Sequence, residues 1–358
     1  MATIPPLPLT RELLRWLQQD PAWTGLPWGT RAALQWQAAL GSLNAGLAGM
    51  ARPTPIDQRA TALVDPVLVL GPWRSGTTVM HELLAAATGL ATPRTWQCMN
   101  ATAFTAMPPR RRNATAVARP MDGLAIHAQS PQEDEFALLT LGADSAYRGF
   151  LMPHRLAELA PTLSPAYWLA QPQWLAPWER FLTDVLRSTP QARQPLLLKS
   201  PNHSFRLAAI LRRFPRTRGV WMLRDATAVY HSNLKMWRTM FARYGLTAPL
   251  PGALEDFIAL ALQSCADILA VQSQSWTQGG WALVQQSRLR NDAAAVVREV
   301  LARLELPSTV DEPALAAALA ATALGREQRY DNAPLPAAAE RAVRALDAAQ
   351  SQALRLMP

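Results

Sequence analysis

The fold of this chain is decided by one stretch, Val67-Leu68-Val69-Leu70-Gly71-Pro72-Trp73-Arg74-Ser75-Gly76-Thr77-Thr78. Its apolar half, residues 67–70, predicts a buried strand, and Gly71 and Gly76 predict a tight turn. Residues 77 to about 87 predict a helix that starts directly after the turn. A strand, a glycine turn and a helix in this order direct free backbone N–H groups and the positive end of the helix towards a phosphate.

The same turn lacks the residues with which P-loop enzymes cleave a nucleoside triphosphate. Those enzymes read G-x-x-x-x-G-K-[ST], where the lysine contacts the terminal phosphates and the hydroxyl binds magnesium. Here the glycine spacing is right, but Thr77 stands in the place of the lysine, and Arg74 is the basic residue of the loop. The loop therefore indicates a phosphate-like ligand that is bound without a metal ion.

A second unit along the chain predicts a parallel sheet. Residues 195–199 form an apolar run that ends at Lys199, a periodic stretch follows as far as Phe214, and residues 219–223 form another apolar run. A strand, a helix and a strand joined in this way lie with their strands parallel. We predict an α/β protein with a P-loop-type three-layer fold, a central parallel sheet and a helical N-terminal extension.

Three regions are predicted along the chain. Residues 1–62 form the helical extension, with helices at 8–20 and 29–50 that are capped by Thr10 and Thr30. Residues 63–340 form the main domain, and residues 341–358 form a C-terminal helical tail. Within the main domain, further helices are predicted at 131–142, 161–188, 252–273, 291–304 and 312–324, and a short strand at 281–284.

Composition limits the kinds of partner. The chain has 358 residues and a net charge of +9, and every basic residue except Lys199 and Lys235 is arginine. The basic residues are spread along the chain without the block typical of a nucleic-acid-binding arm, so we predict no nucleic-acid partner. Cys98 and Cys265 are too few for a disulfide framework, and neither a secretion signal nor a membrane-spanning run is evident. We expect a cytoplasmic protein, with a homodimer left open.

Three separated pieces of the sequence resemble the sulfotransferases that use 3′-phosphoadenosine 5′-phosphosulfate (PAPS). Residues 74–78 resemble the family's 5′-phosphosulfate loop, and Arg224 with Ser232 resembles its 3′-phosphate motif. Residues 197–201 resemble the Lys-Ser-Pro turn that precedes that motif. The pieces follow the family's order over roughly residues 65–235, and the loop is of the bacterial and tyrosylprotein-like type. The resemblance implies donor-binding roles for Arg74, Ser75, Gly76, Thr77, Thr78, Arg224 and Ser232.

Physical chemistry gives these residues specific tasks towards PAPS. Backbone N–H groups of residues 75–78 can hold the 5′-phosphate, and Arg74 can stabilise the charge that develops on the leaving phosphate. Arg224 can grip the 3′-phosphate at two points, with Ser232 as a second donor. Lys199, at a strand end, is predicted to hold the sulfonate during transfer. Since sulfonate carries less charge than a terminal phosphate, PAPS is expected without a metal.

The sequence offers several candidates for the group that takes the proton from the acceptor hydroxyl. Relatives place a glutamate near Trp96, but here Gln97 follows that tryptophan and cannot accept a proton. The remaining candidates are Glu133, Glu135 and His203. The alternative interpretation of the acidic segment is helix capping, which weighs about equally. His127, upstream of that segment, is more often structural.

Two further features carry weaker predictions. Arg326 resembles an additional arginine at the 3′-phosphate, although a solvated turn is the simpler interpretation. Some of the tryptophans are candidates for an apolar acceptor pocket, with core packing as the alternative: Trp73, Trp96, Trp168 and Trp174.

The predicted activity is transfer of sulfonate from PAPS to an acceptor hydroxyl on a small molecule or a peptide. The products are a sulfate ester and adenosine 3′,5′-bisphosphate. The rival functions are a P-loop nucleotide kinase or NTPase, and a PAPS-binding protein that has lost its catalytic base.

Overall fold

The computed structural model describes residues 9–50, 63–106, 117–118, 125–189, 194–276, 280–306, 310–321 and 334–357. The strands in these residues are β1 Val67–Leu70, β2 Val117–Ala118, β3 Ala125–Ile126, β4 Leu197–Lys199, β5 Arg218–Leu223 and β6 Trp281–Gln285. The helices are α1 Arg11–Gln18, α2 Ala22–Gly25, α3 Trp28–Met50, α4 Thr77–Thr88, α5 Thr95–Cys98, α6 Glu135–Thr140, α7 Leu156–Leu159, α8 Pro165–Ala170, α9 Leu175–Ser188, α10 His203–Arg213, α11 Ala226–Tyr244, α12 Ala253–Gln272, α13 Gln286–Arg303, α14 Glu312–Ala321 and α15 Ala337–Leu356.

Four parallel strands form the central sheet, in the order β4-β1-β5-β6. Val69 of β1 pairs with Lys199 of β4 on one side, and Leu70 pairs with Trp221 of β5 on the other. Because β1 lies between β4 and β5 and all three run the same way, the segments that follow them meet at one edge of the sheet. The three pieces of sequence that suggested a site therefore converge in space.

The sheet separates two layers of helices. Alternate side chains of β1 point to opposite faces, as expected for a strand. Val67 and Val69 pack with buried residues of α4, α13 and α14. Leu68 and Leu70 pack with the larger cluster that includes α10, α11, α12 and α15. This arrangement confirms the predicted three-layer α/β fold around a parallel sheet.

The N-terminal helices lie against the main domain. Thr10 caps α1 as predicted, because its Oγ1 accepts from the Leu13 N–H at 3.4 Å. The predicted cap at Thr30 is wrong: α3 starts at Trp28, and the Pro27 carbonyl already accepts from the Arg31 N–H at 3.1 Å. Helix α1 contacts both α3 and α6. The division into regions 1–62, 63–340 and 341–358 stays a prediction, and α15 runs across the boundary after residue 340.

Several predicted helices differ in extent from those observed. The helix predicted at 131–142 is confined to α6, because the preceding residues pair with another segment. Pro131 forms an antiparallel bridge with Arg94, and the Gln132 N–H donates to the Pro93 carbonyl at 2.9 Å. Prolines at the starts of short turns break the predicted 161–188 helix into pieces that include α8 and α9. The helix predicted at 291–304 matches the second part of α13. Although α13 follows β6 without a loop, Asp292 interrupts it with φ and ψ of −152° and 76°, and Asp292 Oδ1 accepts from the Ala295 N–H at 3.0 Å.

No helix among the described residues is both long enough and apolar enough to span a lipid bilayer.

Candidate active site

The glycine turn between β1 and α4 forms a close-fitting backbone cradle. Gly71 and Gly76 have φ angles of 131° and 100°, which disfavour other residues. A Cβ at Gly71 would lie 2.8 Å from the Met222 carbonyl oxygen. Gly76 precedes α4 and provides no side-chain cap for the first N–H groups of that helix. The start of α4 therefore has the backbone geometry that binds an anion.

Arg74 connects the glycine turn to the segment that follows β5. Its backbone has a φ of 70°, in the left-handed region that residues other than glycine rarely adopt. The Arg74 Nε donates to Ser232 Oγ at 3.2 Å, and the Arg74 carbonyl accepts from Arg224 Nη1 at 2.7 Å. The two motifs that sequence reasoning assigned to the two anionic ends of one ligand thus touch each other.

The turn after β4 braces the glycine turn from the other side. The Ser204 hydroxyl accepts from the Gly71 N–H at 3.1 Å and lies 3.2 Å from the Gly71 carbonyl, to which it donates. The Trp73 indole N–H donates to Asn202 Oδ1 at 3.1 Å. These buried hydrogen bonds fix the loop before any ligand binds, which lowers the entropic cost of binding.

Lys199 is the last residue of β4, the outer strand that pairs with β1. Its side chain is 2 % exposed, and its Nζ donates to Glu133 Oε1 at 2.6 Å and to Thr78 Oγ1 at 3.3 Å. The second oxygen of Glu133 accepts from the Tyr147 hydroxyl at 2.8 Å. A lysine and a carboxylate, both candidates from sequence, therefore meet next to the first turn of α4.

Each of the three consecutive acids pairs with a different basic residue, either at the end of β4 or in α10, which follows it. Glu133 contacts Lys199, Asp134 contacts His203 through an Oδ2–Nε2 distance of 2.8 Å, and Glu135 contacts Arg206 through two hydrogen bonds. The indole N–H of Trp178 also donates to Asp134 at 2.6 Å. We call these three contacts the acid–base ladder. Glu133 and Asp134 lie before α6 and the acids have buried partners, so this segment does more than cap a helix.

Burial and charge act in opposite directions on Asp134. Removal from water alone would raise the pKa of this carboxyl group, but the charge and hydrogen bond of His203, the Trp178 hydrogen bond and the Arg206 charge together lower it. His81 lies near the same group of charges and is also buried. Burial first, and then the charges of Lys199 and Arg94, hold the pKa of His81 well below its usual value of 6.5.

Among the candidate bases, Glu133 is the one that contacts Lys199, whose Nζ also donates to Thr78 Oγ1. Glu135 and His203 are fully buried and face Arg206 and Asp134, respectively. His127 is exposed, and its Nδ1 accepts from the Gln129 N–H at 3.2 Å.

Gln97 has a structural role in the segment where relatives carry a glutamate. Its Oε1 accepts from the Arg94 N–H at 2.7 Å, and its Nε2 donates to Ser188 Oγ at 2.7 Å. It is fully buried at the start of α5. Gln97 thus caps a helix in this chain.

The remaining candidates are Arg326 and the four tryptophans. Arg326 falls outside the described residues. All four tryptophans suggested for an acceptor pocket are buried. Trp73 packs in an aromatic cluster with Tyr147 and Trp237, whereas Trp168 and Trp174 line a cavity of about 280 Å³ beside Asp144.

Sequence reasoning missed Tyr147, which fixes Glu133 from 14 residues away. No local motif marks this tyrosine, and its role follows only from the fold. In the part of the chain that is described, no group of three or more His, Cys, Asp or Glu side chains is placed to hold a metal ion.

Comparison with known proteins decides the family. The model of the sulfotransferase family matches residues 66–311, which include the glycine turn, the acid–base ladder and the Arg224 segment. The chain belongs to the sulfotransferase family.

This sulfotransferase has related proteins of known name. It is 29 % identical over 201 residues to the omega-hydroxy-beta-dihydromenaquinone-9 sulfotransferase Stf3 of Mycobacterium bovis and of Mycobacterium tuberculosis. The match covers 55 % of this chain and 51 % of each relative, so the sulfotransferase spans about half the length of these curated relatives.

Two solved structures share its fold. Sulfotransferase STF1 from Mycobacterium tuberculosis H37Rv superposes with a TM-score of 0.65 at 17 % identity, over 94 % of this chain and 90 % of that one. Sulfotransferase STF9 from Mycobacterium avium superposes with a TM-score of 0.61 at 20 % identity, over 99 % and 98 %. At these identities the likeness concerns the fold of the sulfotransferase and not its substrate.

Proposed function

We propose that this sulfotransferase moves a sulfonate group from PAPS to a hydroxyl group of a small-molecule acceptor. The products would be a sulfate ester and adenosine 3′,5′-bisphosphate. One observation carries the proposal: Arg74 of the glycine turn contacts both Ser232 and Arg224. A donor with a phosphate at each end of one nucleoside suits two adjoining anion-binding motifs, whereas a triphosphate needs a single one.

The residues of the glycine turn fit the 5′ end of this donor. The start of α4 has no side-chain cap at Gly76, and its N–H groups can bind a phosphate together with the helix dipole. Arg74 can add a charge-assisted hydrogen bond where negative charge develops as the bond to sulfur breaks. Arg224 and Ser232 would hold the 3′-phosphate.

Lys199 and Glu133 are proposed to act on the two reacting groups. The Lys199 ammonium can contact the sulfonate oxygens, because it lies next to Thr78 at the start of α4. Glu133 is proposed to accept the proton of the acceptor hydroxyl as that oxygen bonds to sulfur. The Tyr147 hydroxyl, 2.8 Å from Glu133 Oε2, orients the carboxylate for this step.

The proposed class of acceptor is supported by the relatives. The named mycobacterial proteins act on an omega-hydroxy-beta-dihydromenaquinone-9, which carries a hydroxyl group on a small molecule. We extend only this chemistry to the present protein. Residues 63–340 are proposed as the catalytic unit. The buried free thiols of Cys98 and Cys265 are consistent with our proposal of a cytoplasmic location.

Nucleotide binding tests the donor proposal. Isothermal titration calorimetry with adenosine 3′,5′-bisphosphate in the presence of EDTA is expected to show binding. Binding of ATP only with magnesium, and none of the bisphosphate, would favour a kinase or NTPase instead.

Sulfonate transfer tests the catalytic assignment. Radiolabelled PAPS would be supplied with omega-hydroxy-beta-dihydromenaquinone-9, and with 2-naphthol as a general hydroxyl probe. Glu133→Gln is expected to slow transfer by about 100-fold or more, the usual contribution of a general base, while binding of the bisphosphate persists. Glu299→Gln, at an exposed position, is the matched control. Unchanged transfer by Glu133→Gln, with loss in His203→Ala, would move the role of base to the histidine.

A further inference from the structure

Gln350 of α15 makes two hydrogen bonds to the backbone of Arg224. Its Oε1 accepts from the Arg224 N–H at 3.0 Å, and its Nε2 donates to the Arg224 carbonyl at 3.1 Å. The two residues are 126 positions apart, and the Gln350 side chain is 9 % exposed. One side-chain amide thus satisfies both backbone polar groups of a residue that we place in the donor site.

The position of Arg224 in the fold explains why it needs such a partner. The last paired residue of β5 is Leu223, opposite Gln285 of β6. Arg224 lies just past this pair, and its backbone is no longer held by the sheet. The amide of Gln350 supplies one acceptor and one donor, as a neighbouring strand would.

A second residue of α15 holds the next part of the same segment. Asp347 Oδ1 accepts from the Ala226 N–H at 3.2 Å. Ala226 is the first residue of α11, the helix that carries Ser232. Residues 347 and 350 are three positions apart and so lie on the same side of α15. One side of this helix therefore fixes the backbone at both Arg224 and the start of α11.

Helix α15 is itself firmly packed. Its buried residues include Val343, Leu346 and Ala353, and the helix lies along α12. It also lies beyond residue 311, where the match to the family model ends. Gln350 therefore lies outside the region that the family model matches, whereas its partner Arg224 lies inside it.

We infer that Gln350 is a positioning residue for the 3′-phosphate half of the donor site, acting through the backbone of Arg224. This inference rests on the proposed function. Gln350 is not expected to touch the nucleotide. It fixes the position of the Arg224 backbone, from which the side chain extends. A two-point contact between the guanidinium and a phosphate depends on that position.

The experiment compares two nucleotides that differ only in the 3′-phosphate. Dissociation constants of adenosine 3′,5′-bisphosphate and adenosine 5′-phosphate are measured by calorimetry for the full chain and for Gln350→Met, which keeps the length of the side chain but not its hydrogen bonds. The bisphosphate is expected to bind about tenfold more weakly to Gln350→Met. A displaced Arg224 guanidinium would lose a hydrogen bond to the charged 3′-phosphate, and such a bond contributes at least that factor. The dissociation constant of adenosine 5′-phosphate should not change. Gln352→Met, exposed on the same helix, is the matched control.

A purely structural role gives a different result. If Gln350→Met weakens both nucleotides equally, or neither, the inference is wrong. Gln350→Asn retains the amide but is too short for both contacts, and it should reproduce the selective loss if the Met variant does not fold. If the unaltered protein does not prefer the bisphosphate to the 5′-phosphate, the proposed function itself fails, and the inference fails with it.

Discussion

Lys199 and Glu133 form a buried ion pair whose Nζ–Oε1 distance is 2.6 Å. The lysine side chain is 2 % exposed and the glutamate side chain is 10 % exposed. Lys199, proposed to contact the sulfonate, and Glu133, the proposed base, thus neutralise each other's charge. A donor that attracts Lys199 would therefore also release the carboxylate that has to accept a proton.

Removing one partner of this pair is expected to destabilise the fold more than removing both. Lys199→Met should lower the free energy of unfolding by about 3–5 kcal/mol, because it leaves a buried carboxylate without its cation. Combining it with Glu133→Gln should recover part of that loss. Urea unfolding of the two single variants and the double variant measures the coupling. Lys235→Met removes the other lysine of the chain, at an exposed position, and should have little effect. Additive losses would show that the pair is not coupled.

The guanidinium of Arg224 is expected to be irreplaceable by an ammonium. Arg224→Lys loses both the hydrogen bond to the Arg74 carbonyl and the two-point contact proposed for the 3′-phosphate. Calorimetry should show binding of adenosine 3′,5′-bisphosphate weakened by about tenfold or more. Arg238→Lys, on the exposed side of α11, is the matched control. Equal affinity of the Arg224 variant and the unaltered protein would place the 3′-phosphate elsewhere.

Alanine substitutions at Gly71 and Gly89, which both have positive φ angles, distinguish the cost of a steric clash from the cost of backbone strain. Gly71→Ala would bring a Cβ to 2.8 Å from a carbonyl oxygen, whereas a Cβ at Gly89, with a φ of 62°, meets nothing within 4 Å. Gly89→Ala is expected to lower the free energy of unfolding by about 1–2 kcal/mol, and Gly71→Ala by more because of the added clash. Thermal unfolding of both variants checks the order. Equal losses would show that the loop relaxes around the added methyl group.

Stability should fall as the pH drops below about 6.5, partly through His81. The pKa of His81 in the folded protein lies well below 6.5, so the unfolded chain binds a proton at a higher pH than the folded one. The contribution of neutral His81 to the free energy of unfolding is complete above the pKa of His81 in the unfolded chain. It is lost progressively as the pH falls below that pKa. His81→Gln should flatten the dependence of unfolding free energy on pH between about 7 and 5 in urea titrations. His127→Gln, at an exposed position, is the matched control. An unchanged slope in His81→Gln would assign the pH dependence to other groups.

The fold and much of the donor side of the site were predictable from local sequence. The strand and glycine turn at 67–76 and the strand that ends at Leu223 are continuous patterns with simple periodicity. Parallel strands then bring their ends together whatever the rest of the chain does. The proximity of Arg74 and Arg224 follows from this rule.

The proposed catalytic side of the site was only partly predictable, because its contacts join distant segments. Glu133 and Lys199 were candidates, but their pairing joins residues 66 positions apart. Tyr147 and Gln350 lie in no motif, and only tertiary packing brings them to their partners. The helix predicted at 131–142 was too long for the same reason, since the bridge between Arg94 and Pro131 overrides local helix propensity.

The acid–base ladder also fixes the alignment of two chain segments. Its three acids are adjacent in sequence, and their partners Lys199, His203 and Arg206 carry an ammonium, an imidazole and a guanidinium group. A slip of one residue in the acidic segment would present every acid to the wrong partner at once. The ladder thus allows only one alignment of residues 133–135 with the end of β4 and the start of α10.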